Sequence, residues 1–171
     1  MNLDERLKAI RLLVLDIDGT LTDGGMYYSA EGDTLKRFFV QDGMGLTLLQ
    51  RAGIEIAFMT SELSPIVSAR AKKLKVKHVI LGCQAKRQAL EELAEKLALS
   101  LEQIAYMGDD VNDEAPMLIA GFRACPSNAV PLILAIADYV CEKAGGQGAV
   151  REVAEMILKA QNHSNTLPVV W

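Results

Sequence analysis

The stretch Leu12-Leu13-Val14-Leu15-Asp16-Ile17-Asp18-Gly19-Thr20 decides the fold. Four consecutive apolar residues without polar alternation read as a strand covered on both faces, the habit of parallel sheets flanked by helices. Two carboxylates two residues apart follow directly. Asp16 and Asp18 should therefore emerge at the carboxyl end of that strand, where open α/β sheets place their ligands. That position and that pair of side chains suit a metal ion and a phosphate.

Working outward, strand-like runs recur at 54–59, 79–81, 104–107, 122–124 and 139–141, separated by helical patterns at 43–51, 65–74, 86–97, 114–120, 130–137 and 150–160. The charged segment 1–11 reads as a short helix without the apolar stretch of a signal peptide. Alternation on this scale predicts an α/β chain, a Rossmann-like three-layer sandwich with a mostly parallel sheet. Segments 26–28 and 35–40 flank the turn-rich Ser29-Ala30-Glu31-Gly32-Asp33, which predicts a small β-hairpin flap at about 25–40 beside the first strand end. Between Ser61 and Lys86 there is room for one helix and one strand, hence for no cap domain. The expected organisation is a single domain over 1–163 and a C-terminal tail over 164–171. The apolar end of that tail, Val169-Val170-Trp171, is either loose or docked on a neighbour.

Half of the 171 residues are hydrophobic, ample for a core, and a net charge of −4 argues against a broad nucleic-acid surface. Cys83, Cys125 and Cys141 are widely spaced, with no Cys-x-x-Cys, so neither zinc ligation nor a disulfide framework is expected. They read as buried thiols of a reducing cytosol. No run approaches the roughly 18 apolar residues that a membrane span needs. The expectation is a soluble, cytoplasmic protein with neither nucleic acid nor membrane as partner.

Three further elements join Asp16 and Asp18 in order: Thr60 after the strand at 54–59, Lys86 at a helix start, and Gly108-Asp109-Asp110 with Asp113 after the strand at 104–107. Singly each has an ordinary reading, a solvated lysine or a turn. Jointly, the oxygen-rich Asp109, Asp110 and Asp113, with no His or Cys close in sequence, favour Mg²⁺. Thr60 and Lys86 supply the donors that a phosphoryl group in transfer requires. Asp113 is open to two roles, capping the helix that follows or orienting Lys86.

This constellation resembles the haloacid dehalogenase (HAD) superfamily of phosphohydrolases, whose four motifs it matches in order across nearly the whole chain. The resemblance implies that Asp16 is a nucleophile that becomes an aspartyl phosphate and that Asp18 is the general acid and base. It also implies Mg²⁺ held by Asp16, the Asp18 carbonyl and Asp109, with Asp110 and Asp113 in support.

Thr22-Asp23-Gly24, Val40-Gln41-Asp42-Gly43-Met44-Gly45 and Gly145-Gly146-Gln147-Gly148-Ala149-Val150-Arg151-Glu152 narrow the resemblance to the capless branch typified by 3-deoxy-D-manno-octulosonate (KDO) 8-phosphate phosphatases. That branch implies a phosphorylated sugar acid as substrate, a place in lipopolysaccharide synthesis, and a homotetramer whose neighbouring subunits close the site. Asp42 and Gly43 match its sugar-acid contacts, and Arg70 matches a basic residue suited to a carboxylate or phosphate. The glycine-rich 145–148 can bring backbone amides to an anion, with the helix after it aimed the same way. Two departures stand out: Thr60-Ser61-Glu62 where Thr-Gly-Arg is usual, and Thr47 where Arg is common. Glu62 with Arg70 and Lys73 looks instead like the sister group acting on 2-keto-3-deoxy-nonulosonate 9-phosphate, so both substrates are kept, octulosonate ahead. A non-enzymatic receiver-like switch is a remote alternative, since receivers gather similar residues in another order. A binding subunit that has lost turnover is a third.

Overall fold

The computed structural model describes residues 2–164 and 166; the predicted docking end Val169-Val170-Trp171 lies outside them. Asn2 opens α1 (Leu3–Ala9) with a reciprocal cap: its side chain accepts from the Glu5 amide and the Glu5 carboxylate accepts from the Asn2 amide, both at 2.9 Å. Next come β1 (Leu12–Leu15), the hairpin strands β2 (Tyr27–Ser29) and β3 (Gly32–Leu35), α2 (Val40–Arg51) and β4 (Glu55–Met59). The chain continues through α3 (Pro65–Lys73), β5 (His78–Ile80), α4 (Lys86–Lys96), β6 (Ile104–Met107) and α5 (Glu114–Ile119). It ends with β7 (Phe122–Cys125), α6 (Pro131–Ile136), β8 (Tyr139–Val140) and α7 (Ala149–Ala160).

The main sheet runs β5-β4-β1-β6-β7-β8 and every neighbouring pair in it is parallel. Alternate residues of the unbroken apolar strands feed two cores. Leu13, Leu15, Ile56 and Phe58 face the layer of α1, α2, α3 and α7, whereas Leu12, Val14, Ala57 and Met59 face α4, α5 and α6. Helices cover both faces, so the fold is a three-layer, Rossmann-like α/β sandwich without a cap domain. In α7, Val150, Val153, Ala154, Ile157 and Leu158 recur at helical spacing and are all buried, the stripe expected of a covering helix.

Counted among themselves, the six strands have the order 3-2-1-4-5-6, reversing direction between β1 and β6, whereas receiver-like sheets run 2-1-3-4-5. Register places the ends of β1, β4 and β6 within one residue of one another, since Leu15 pairs with both Phe58 and Met107 and β4 runs on to Met59. Asp16, Thr60 and Asp109, one or two residues beyond these ends, thus arrive within one residue of the same level at the switch point.

The hairpin is present, but its second strand ends at Leu35 rather than continuing to Val40. Phe38 makes only an isolated bridge to Thr22, and α2 begins at Val40, ahead of the expected Gly43. No helix among the described residues is long and apolar enough to cross a membrane.

Candidate active site

Each side chain at the switch point is placed by a strand end or a helix start. The Asp16 amide continues the β1 ladder by donating to Met107 O at 3.0 Å, and the Thr60 amide does the same toward Ile80 O at 3.0 Å. Lys86 begins α4, with its side chain 1% exposed. Its ammonium lies 2.6 Å from Asp16 Oδ1 and 2.7 Å from Asp113 Oδ1. Asp113 Oδ1 also accepts from the Tyr106 hydroxyl at 2.8 Å, and its Oδ2 accepts from the amides of Asp109 (3.0 Å) and Asp110 (3.4 Å). Of the two roles open to Asp113, the geometry gives it the orientation of Lys86; it makes no side-chain cap to α5.

Past Asp16 the chain turns sharply at Gly19, whose φ of +95° suits glycine and whose missing Cβ leaves room for the Asp109 carboxylate. Thr20 donates to Asp109 Oδ1 at 2.7 Å. Asp18 points elsewhere: its Oδ1 accepts from Lys36 Nζ at 2.6 Å, while its Oδ2 is buried with no partner. A cleft of about 210 Å³ is lined by Asp16, Asp18, Thr60, Ser61, Glu62, Asp110, Val111 and Asn112.

The electrostatics of this cluster favour a cation. Carboxylate oxygens of Asp16, Asp109 and Asp113 converge to within 4.8 Å of one another, and Lys86 is the buried ammonium set against them. Burial and the charge of Asp113 hold the Asp16 carboxyl well above the usual range, with Lys86 opposing. Burial, then Asp113 and Asp110, push Asp109 up to about 7 against the pull of its Thr20 hydrogen bond. Burial lowers Lys86, but Asp16 and Asp113 outweigh it and leave its pKa raised. Hard oxygen donors with excess negative charge fit a divalent cation such as Mg²⁺. Asp113 is already saturated by Lys86, Tyr106 and two amides, which leaves Asp16 and Asp109 as the carboxylates free to ligate.

Several expectations need correction. Asp42, expected to contact substrate, is 1% exposed, and its oxygens accept from the amides of Gly148 (3.3 Å) and Arg151 (2.8 Å). It caps α7, and although those bonds pull the other way, burial raises its pKa. Gly43, the other expected contact, is buried beneath the Arg70 guanidinium. The amides of the glycine-rich 145–148 are taken up within the protein and are not offered to an anion in the cleft. The Gly145 amide donates to Asn128 Oδ1 (3.0 Å) and that of Gly146 to Thr20 O (3.2 Å), while Gly145 packs so closely on Gly19 O that a side chain would collide. The segment buttresses the turn after β1. Of Glu62, Arg70 and Lys73, only Glu62 lines the cleft; Arg70 stacks on Phe38, 5.3 Å from its centroid, and Lys73 is exposed on α3.

Lys36, Tyr106 and Thr20 enter the site without having been singled out. Tyr106 reads as core within an apolar run, and Lys36 reads as an ordinary hairpin residue. Thr20, inside the first motif, was the one with a signal, a hydroxyl beside two carboxylates.

Comparison with known proteins agrees with this geometry. Residues 56–153 match the model of the haloacid dehalogenase-like hydrolases, and the chain belongs to that family. Within it, the chain is 42% identical over 152 residues to the 3-deoxy-D-manno-octulosonate 8-phosphate phosphatase KdsC of Escherichia coli K12, covering 89% of this chain and 81% of that protein. It is also similar to the crystal structure of the Moraxella catarrhalis 3-deoxy-D-manno-octulosonate 8-phosphate phosphatase in complex with magnesium, phosphate and KDO. That match has a TM-score of 0.90 and 44% identity, covering 93% of this chain and 91% of that one. The cobalt-bound Haemophilus influenzae deoxy-D-mannose-octulosonate 8-phosphate phosphatase matches with a TM-score of 0.90 and 36% identity, over 92% of each chain.

Proposed function

We propose that this protein is a Mg²⁺-dependent phosphomonoesterase that hydrolyses 3-deoxy-D-manno-octulosonate 8-phosphate to the free sugar acid and phosphate, by way of an aspartyl phosphate on Asp16. The observation that carries the reaction is the Asp16–Lys86–Asp113 chain beside Asp109 at the switch point. Identity of 42% to a phosphatase of that specificity supports the substrate.

Asp16, Asp109 and the Asp18 carbonyl would hold the Mg²⁺. When bound, the ion offsets the repulsion between an anionic nucleophile and an anionic phosphate. Asp16 attacks phosphorus while Asp18 gives a proton to the leaving sugar oxygen; Asp18 then takes a proton from the water that opens the acyl phosphate. Lys86 has three N–H donors, of which Asp16 and Asp113 occupy two, so the third remains for a phosphoryl oxygen. The Thr60 hydroxyl oxygen accepts from the Glu62 amide at 3.1 Å, which leaves its proton free for another phosphoryl oxygen. Asp110 stays in a supporting place, accepting from the Val111 amide at 2.7 Å.

The working form is a homotetramer in which neighbouring subunits close the cleft. Support comes from the hairpin, where Met26, Tyr27, Tyr28 and Leu35 are exposed beside a cleft that has no cap. Arg70 and Lys73, outside their own cleft, are then offered to a neighbour's. The three free cysteines suit the reducing cytoplasm.

The deciding experiment is phosphate release from octulosonate 8-phosphate and nonulosonate 9-phosphate side by side, with Mg²⁺ and after chelation. Higher kcat/KM on the octulosonate, lost on chelation, is expected. Preference for the nonulosonate would transfer the assignment to the sister substrate and make Glu62 its determinant, and inactivity on both would sink the substrate class.

A further inference from the structure

Lys36 follows directly on β3, yet its side chain is 1% exposed. Enclosing an ammonium is costly unless it is paired and hydrogen-bonded. Lys36 is paired twice, at 2.6 Å to Asp18 Oδ1 and at 3.1 Å to Asp33 Oδ2. Asp33, three residues earlier in the chain, could pair the ammonium within the hairpin alone. Instead the shorter contact crosses from the hairpin to the turn after β1. It engages one oxygen of Asp18 and leaves the other, Oδ2, buried without any partner in a residue that lines the cleft. Buried carboxylate oxygens normally have hydrogen bonds, so an orphan oxygen on a residue that lines the cleft has the character of a group awaiting one.

We infer that Lys36 is a positioning residue for proton transfer: it fixes the Asp18 carboxyl through Oδ1 so that Oδ2 carries the proton to the leaving oxygen of the substrate. The inference rests on the reading of Asp18 as general acid. In the step concerned, the bond from Asp16 to phosphorus forms as the bond from phosphorus to the leaving oxygen breaks. The proton on Asp18 Oδ2 passes to that oxygen, and the Asp18 carboxylate left behind is already paired with the Lys36 ammonium. Asp33 holds the other side of the ammonium and sets its position. The hairpin thereby carries part of the proton-transfer apparatus as well as an exposed surface.

A leaving group that needs no proton separates this role from a structural one. p-Nitrophenyl phosphate expels a stabilised aryloxide, whereas octulosonate 8-phosphate must expel an alkoxide. In Lys36→Met, kcat/KM for the sugar phosphate should fall by about 10- to 100-fold, part of the ~10²- to 10⁴-fold that acid–base assistance supplies. The same value for p-nitrophenyl phosphate should change by less than about threefold. Lys36→Gln, which keeps a neutral donor one bond shorter and is gentler on folding, should show the same selectivity to a smaller degree, and Lys36→Arg should recover much of the loss. Asp18→Asn is the control: read as the single-turnover rate of leaving-group release, which precedes the water step that Asp18 also serves, it should show the same selectivity more strongly. Equal losses on both substrates in Lys36→Met and Lys36→Gln, with Asp18→Asn still selective, would reduce Lys36 to a hairpin fastener while leaving the mechanism intact. Equal losses in Asp18→Asn would remove Asp18 as the proton donor, and the inference with it.

Discussion

Thr20 donates its hydroxyl to Asp109 Oδ1 at 2.7 Å, tying the turn after β1 to the loop after β6 across the switch point of the sheet. This hydrogen bond aims one carboxylate of the cation site from outside it. Partners of that kind typically govern metal affinity by about 10- to 100-fold. Thr20→Val, which keeps the shape and removes the donor, should weaken Mg²⁺ binding by about tenfold with little change in the fold. Calorimetric titration with Mg²⁺ checks it, and unchanged affinity would show that Asp109 is oriented by other contacts.

Asp109 also sets a pH dependence. Burial and its acidic neighbours raise its carboxyl to about 7, so between about 4 and 7 the folded protein holds a proton that the unfolded chain has released. Stability then falls as pH rises through that window and levels off above it. In chelator, denaturant midpoints for the wild type should decline from about pH 4 to 7 more steeply than those of Asp109→Asn, which has no charge to develop there. A wild-type stability that climbs across this window relative to Asp109→Asn would contradict the assignment.

The parts of the molecule legible from sequence are those whose physics is local. The central strands are unbroken apolar runs because helices cover both sheet faces, and the carboxylates at Asp16 and Asp109 stand out because each terminates such a run. Asp42 was not legible, since a carboxylate at the start of α2 looks the same whether it meets a ligand or, as here, caps a helix more than 100 residues later in the chain. Lys36 escaped notice for a related reason: its partner Asp18 is 18 residues away and lies on no common periodicity. Tyr106 is part of a core strand, and its hydroxyl acquires a purpose only when the turn after β6 folds Asp113 back upon it.

The correction at Asp42 is itself testable. If its carboxylate serves the amides of α7, Asp42→Ala should cost about 0.5–2 kcal/mol of stability, as lost helix caps do. The KM of the purified, folded variant should stay within about twofold of wild type, because truncating a buried cap removes no uniform substrate binding. A large rise in KM with an unchanged melting temperature would restore Asp42 as a substrate contact.

Lys86 is the charge common to two buried carboxylates. Lys86→Met leaves Asp16 and Asp113 facing each other without it, and breaking a buried ion pair costs about 3–5 kcal/mol. Adding Asp113→Asn removes one of the stranded charges and should return part of that stability. It should not return turnover, because the donor to the phosphoryl oxygens is still gone, a loss worth about 10²- to 10³-fold in kcat. Denaturant titration alongside kinetics separates the two effects. Recovery of activity in the double variant would mean that Lys86 acts only by neutralising Asp113.

Gly145 tests whether the glycine-rich segment acts as a buttress. Its α-carbon sits against Gly19 O, and the neighbouring Gly146 amide donates to Thr20 O at 3.2 Å, so the segment sets the height of the turn that carries Asp18 and Thr20. An added methyl group collides with Gly19 O and crowds Thr22 O at 3.1 Å, and backbone yields only by moving the turn. A displacement near 1 Å at a reacting centre can cost about 100-fold in rate. Gly145→Ala should therefore lower kcat by one to two orders of magnitude and weaken Mg²⁺ binding together with it, because Thr20 and Asp109 move apart, while far-UV circular dichroism stays near that of wild type. Wild-type turnover in this variant would show that the turn after β1 is held from elsewhere, and that the segment is only a connection between β8 and α7.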